Sequence, residues 1–207
     1  MTTIVWDGKS LVSDSQMTSG NLVHPAGFKK IYTPDDATEY WEANGVKVVA
    51  FGLAGQAKAA EFIKEYLRKG VDYKSRVGHD DELEFEAILI TEKHNCFLWS
   101  VYANKEKRNE EQFLLPLDPP VATGSGKRFA IAIMSIGKSA EMAMKATIKL
   151  DVFSGGEPVI FTPQPIPEVP SVRPAHLVIQ VEEPKDKPGL EVVPPAKAAG
   201  KGNFKAA

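Results

Sequence analysis

The dipeptide Asp7-Gly8 falls between two short apolar runs, Thr3-Ile4-Val5-Trp6 and Leu11-Val12-Ser13. Asp-Gly provides the backbone geometry of a tight hairpin turn, so the two runs read as paired strands. The hairpin sets the first residues of the chain in a sheet.

The rest of the chain alternates between the two periodicities. Gly45 to Gly52 reads as a buried strand. Ala59, Phe62, Ile63, Tyr66 and Leu67 then keep helical spacing, and Gly70 after Arg68-Lys69 ends that helix. Phe85–Ile90 and Cys96–Val101 read as two more strands. Phe129 to Ile136 is apolar almost all round, which predicts a buried helix ended by Gly137. Ser139 can cap a further helix in which Ala140, Ala143, Met144 and Thr147 share one face, and Pro158–Phe161 reads as a last strand. Strands, helix, strands, helices, strand is the order of a layered α+β fold, with two sheets and helices packed outside them as one solution.

Composition changes near residue 162. Nine of the chain's 15 prolines lie between Pro163 and Ala207, and Pro194 to Gly202 is low in complexity. Such a segment buries too little apolar surface to offset its ordering entropy. The expected organisation is a domain over 2–162 and a flexible Pro-, Ala- and Lys-rich extension over 163–207. One run in the extension, His176–Val181, could form a strand or a docking motif.

Several functions find no support. A net charge of -2 over 207 residues gives no electrostatic case for nucleic acid or an anionic membrane. No run approaches the ~20 apolar residues of a membrane span. The N-terminus lacks the basic and apolar segments of a signal peptide, and a lone cysteine suits a reducing compartment, so the expected location is the cytoplasm. Cys96 lies in an apolar run and reads as a buried strand thiol rather than the partner of His94. Thr123-Gly124-Ser125-Gly126-Lys127 has Val121 and Arg128 where a phosphate loop needs a glycine and a hydroxyl. His79-Asp80-Asp81-Glu82 has no second cluster at ligand spacing, so neither a metal nor another cofactor is expected. No Gly-x-Ser-x-Gly elbow is present.

The chemistry-bearing feature is Thr2. Loss of Met1 would leave a free α-amine and a hydroxyl on one residue. An α-amine has a reference pKa of about 7.7–8.0, so near neutral pH part of it can take the proton of its own hydroxyl. The plainer reading is that Thr2-Thr3 only begins a strand.

Read together, six pieces of the chain bear on that choice. Thr2-Thr3-Ile4-Val5 and Ser13-Asp14-Ser15-Gln16-Met17-Thr18-Ser19-Gly20 come first, then Lys29-Lys30 and Phe51-Gly52-Leu53-Ala54-Gly55. Thr123-Gly124-Ser125-Gly126 and Asp151-Val152-Phe153-Ser154-Gly155-Gly156 complete the series. In this order and spacing the pieces resemble the proteasome-type N-terminal-nucleophile hydrolases, in particular the peptidase subunit of the bacterial two-component protease HslV. The resemblance covers about residues 2–162. It implies a four-layer αββα sandwich with Thr2 at the mouth of a cleft between the sheets, and a threonine endopeptidase. It also implies roles. Thr2 Oγ would attack the substrate carbonyl, Lys30 would lower the pKa of amine and hydroxyl, and Asp14 would orient Lys30. The N–H of Gly55 would bind the oxyanion. Ser125, Asp151 and Ser154 would hold the α-amine and a water. Leu53 and Thr18 would border the substrate, Leu53 favouring an apolar residue before the scissile bond. Self-assembly into a closed ring is implied, and with it an ATP-driven unfoldase that delivers unfolded protein or peptide. Gln56, the stretch Pro34 to Asn44 and the C-terminal extension depart from the family pattern. Two alternatives stand beside the peptidase: an amidohydrolase of the same superfamily acting on a small amide, and a catalytically silent binding or structural protein of that fold.

Overall fold

In the computed structural model, residues 2–19, 22–24, 27–36, 38–75, 83–102 and 111–166 are described, with backbone alone for 19 and 111–113. The acidic run His79–Glu82 and the run His176–Val181 lie outside these residues. The chain divides into two units, Met1–Pro167 and Glu168–Ala207.

The described fold is a mixed α/β unit of three helices and many antiparallel strands. The expected hairpin forms: β1 (Thr3–Trp6) and β2 (Leu11–Ser13) pair antiparallel, with Val5 opposite Val12. Asp7 closes the turn by accepting from the backbone N–H groups of Lys9 and Ser10. On the other side of β1 runs β11 (Val121–Gly124), and β12 (Val159–Phe161) pairs with β2, completing a four-stranded sheet. A second sheet has the order β10 (Glu111–Leu117), β9 (Cys96–Tyr102), β8 (Phe85–Thr91), β7 (Val46–Gly55) and β5 (Ile31–Tyr32), and β6 (Glu42–Ala43) also pairs with β7. A two-stranded ribbon, β3 (Met17–Ser19) with β4 (Leu22–His24), follows the first hairpin.

Alternation along the strands sorts the core into three clusters. Ile4, Trp6 and Leu11 of the first sheet pack with Ala50, Ala54, Ile88 and Ile90 of the second. Val5 and Val12, on the opposite face of the hairpin, pack with Ala130 and Met134 of α2 (Lys127–Ser135) and with Ala140, Ala143 and Met144 of α3 (Ala140–Leu150). Phe85, Ala87, Leu89 and Trp99 pack with Ala59, Ala60, Ile63 and Leu67 of α1 (Ala59–Lys69). Emptying the position of fully buried Trp6 would cost about 3–5 kcal/mol.

Helix ends follow the sequence signals. Gly70 terminates α1 at positive φ, and the Ser139 hydroxyl accepts from Met142 N–H at 3.3 Å to cap α3. The expectation for the helix before it is corrected. Among α2 residues only Ala130 and Met134 are buried, Phe129 is exposed, and so is Ile136 just beyond. The helix packs one face on the first sheet and α3, so its apolar circumference is not matched by burial all round. Cys96 is buried in β9 as expected, and burial pushes its thiol up to about 12, which makes it inert. Among the described residues no helix is long and apolar enough to cross a membrane.

Candidate active site

Thr2 stands where β1 meets the end of β11. Its carbonyl accepts from Ser125 N–H at 2.9 Å, and Thr3 is in register with Gly124. Gly124 has φ +88°, and a Cβ there would overlap the Thr2 carbonyl, so only glycine lets the two backbones approach this closely. These contacts fix the Thr2 main chain against the end of β11. Thr2 is almost buried, at 7 % exposure.

On one flank lies a buried ion pair. Lys30 Nζ donates to Asp14 Oδ1 at 2.8 Å, with the two side chains 3 % and 0 % exposed. Asp14 follows β2 directly, so the hairpin carries it into place. Three backbone N–H groups share the carboxylate: Thr3 at 2.9 Å on Oδ1, and Gly155 at 3.1 Å and Gln16 at 3.3 Å on Oδ2. These donors satisfy a charge that has left water. Burial lowers the pKa of Lys30, while the charge and hydrogen bond of Asp14 work against that shift. Lys30 also receives Leu53 N–H on its carbonyl at 2.9 Å, which ties it to β7.

On the other flank lies a chain of hydroxyls. Asp151, at the end of α3, accepts on Oδ2 from Ser125 Oγ at 2.7 Å and from Ser154 Oγ at 2.6 Å. Thr3 Oγ1 lies 2.6 Å from Ser154 Oγ and accepts from Gly126 N–H at 2.9 Å. A hydroxyl has one hydrogen, and Ser154 gives its own to Asp151, so Thr3 is the donor to Ser154. Burial of Asp151 favours its neutral form, but the hydrogen bonds from Ser154 and Ser125 outweigh it and hold the carboxyl below its usual pKa. The turn after Ser154 then binds back to the first hairpin, since Gly155 O accepts from both Ser15 and Gln16 N–H.

Two cavities meet at Thr2 and Gly55. The larger, about 400 Å³, is lined by Lys30, Leu53, Thr18, Tyr32, Phe28 and Gln16 among others. The smaller, about 240 Å³, is lined by Glu84, Phe85, Glu86, Tyr102, Gly124 and Ser125. Gly55 has φ +127°, and a Cβ there would stand 2.7 Å from Glu84 O, so β7 turns out of the sheet at a point open only to glycine.

All nine residues singled out from sequence thus come together. Thr2, Thr18, Lys30, Leu53 and Gly55 line the larger cavity, Ser125 the smaller, and Asp14, Asp151 and Ser154 stand behind them. Residues that sequence reasoning missed are Thr3, whose hydroxyl joins the Asp151 chain, and Glu86, which faces Thr123 from the opposite sheet. Glu86 had a signal: it is the one charge inside the apolar run Phe85–Ile90. Among the described residues no group of three or more His, Cys, Asp or Glu is placed to hold a metal. No family model matches the chain, and no curated protein matches it.

Proposed function

We propose that the protein is a threonine peptidase in which Thr2, made the first residue by removal of Met1, is the nucleophile. The observation that carries this reading is the placing of Thr2 at the junction of two cavities, between a buried lysine–carboxylate pair and a carboxylate-anchored hydroxyl chain. The three core clusters support the fold that goes with it, a four-layer αββα sandwich with the cleft between the sheets.

In this reading the Thr2 hydroxyl adds to the substrate carbonyl and its proton passes to the α-amine. The oxyanion takes a hydrogen bond from Gly55 N–H, a contact worth on the order of 3 kcal/mol in rate. The carbon–nitrogen bond then breaks, and the departing nitrogen takes the proton from the α-ammonium. Water, with the α-amine again as base, hydrolyses the ester on Thr2. Lys30 keeps a positive charge beside the nucleophile and biases amine and hydroxyl toward their deprotonated forms. Ser125, Asp151 and Ser154 hold the amine and the hydrolytic water, while Asp14 holds Lys30.

Cavities on both sides of Thr2 favour a substrate that continues past the scissile bond in both directions, a peptide rather than a small amide. Exposed Ile136, Met142, Leu150 and Val152 support self-association, and we propose a closed ring fed by an ATP-driven unfoldase in the cytoplasm. Hydrolysis of an unfolded protein, followed by mass spectrometry of the products, tests the reading. Internal cleavage by the wild type and none by Thr2→Ala is expected. Equal cleavage by both would refute it.

A further inference from the structure

The two cavities that meet at Thr2 differ in charge. Among the described residues the larger one is walled by Lys30 and Lys58 and by no carboxylate. Among the described residues the smaller one is walled by Glu84 and Glu86 and by no lysine or arginine. Resting on the peptidase reading above, we infer that the smaller cavity is a leaving-group subsite that selects a basic residue immediately after the scissile bond.

Proton transfer sets which cavity takes which half of the substrate. The departing nitrogen must receive its proton from the Thr2 α-amine, so it leaves on the side of Ser125. Ser125 lines the smaller cavity and not the larger. The acyl half then lies against Lys30 and Leu53.

Glu86 gives the smaller cavity its fixed charge. It points from β8 toward the first sheet and accepts from the Thr123 hydroxyl and, at 2.6 Å, from the Tyr102 phenol. Burial of Glu86 favours its neutral form, but these hydrogen bonds and Lys127 prevail and keep it ionised. Lys127, half exposed and 3.5 Å away, is the cation facing it from α2. That contact is long enough for an incoming lysine or arginine head to replace it. A carboxylate in the same place would meet two acidic walls. Glu84 lies at the rim, exposed, and adds charge without bracing the sheets. Phe85 and Tyr102 offer apolar surface for the methylene stem of a basic side chain.

The test uses two peptides identical except for lysine or glutamate after the scissile bond, with kcat/KM measured for each. The Thr2 adduct of a peptide epoxyketone is recorded alongside. The lysine peptide should be cut about tenfold faster by the wild type, the scale of one charge contact at a half-buried site. The ratio should fall toward one in Glu86→Gln and below the wild-type value in Glu84→Lys, which keeps the Glu86 strut intact. Equal rates in the wild type, or a ratio unchanged in both variants, would overturn the subsite while the adduct left the nucleophile standing. Neither adduct nor cleavage would overturn the peptidase reading, and the subsite with it.

Discussion

The two flanks of Thr2 solve the same problem with different materials. The Asp14–Lys30 flank uses two full charges with almost no exposure, braced by three backbone N–H groups. The Asp151 flank uses one carboxylate and three hydroxyls, Ser125, Ser154 and Thr3, in a directed chain. A buried charge pair is all or nothing, because removing one member strands the other in a low dielectric. A hydroxyl chain is graded, because each link contributes only about 0.5–1.5 kcal/mol and can be lost separately. In the proposed peptidase the first flank would therefore supply the electrostatics that activate the nucleophile, and the second the fine positioning.

The largest effect should come from splitting the pair. Lys30→Met should lower unfolding stability by about 3–5 kcal/mol, read as a shift in denaturation midpoint, and abolish labelling of Thr2 by a covalent probe. Combining it with Asp14→Asn removes the stranded charge but keeps an acceptor for the backbone donors. That double variant should regain much of the stability and none of the labelling. Recovery of both would mean that the charges serve the fold alone.

On the other flank Asp151→Asn should cost less, roughly 1.5–3 kcal/mol, the worth of hydrogen bonds to a charged group. Labelling should slow without disappearing. Ser154→Ala, which cuts the chain between Thr3 and Asp151, should cost about 1 kcal/mol and slow labelling least. A loss on this flank as large as that of Lys30→Met would erase the distinction between the flanks.

The finest discrimination is the position of the pH limbs. The lowered pKa of Lys30, caused by burial, means that its charge is lost as pH rises through a value below that of an exposed lysine. Labelling should therefore fall on the alkaline side before the ~10.4 of a free lysine. The depressed pKa of Asp151 keeps it ionised until pH drops below the ordinary carboxylate range, where its contribution to stability is lost. It therefore should not shape the acid limb of labelling near neutrality, which belongs to the α-amine. An acid limb centred in the carboxylate range would contradict this assignment.

What could be read from the chain before its structure follows the range of the signals. The hairpin at Asp7-Gly8, the stop at Gly70 and the Ser139 cap are local, and each forms where the residues place it. Strand β11 went unseen because its four residues gain strand geometry from pairing with β1, more than a hundred positions away. Strand β10 was hidden by Pro116, which an edge strand tolerates. The apolar circumference of α2 promised burial that packing on one face did not deliver. In the site, Asp14 and Lys30 were marked by sequence motifs, whereas Glu86 depends on Thr123, Tyr102 and Lys127, brought together only by the folded sheets.

The central claim concerns the chemistry of one residue. The most direct measurement is the intact mass of the purified protein after incubation with a peptide epoxyketone, beside Thr2→Ala. That warhead closes a ring with both the hydroxyl and the α-amine of a single residue. The account predicts a mass that lacks Met1 and carries one adduct, with none on Thr2→Ala. Retained Met1 with no adduct, or an adduct that survives in Thr2→Ala, would contradict it.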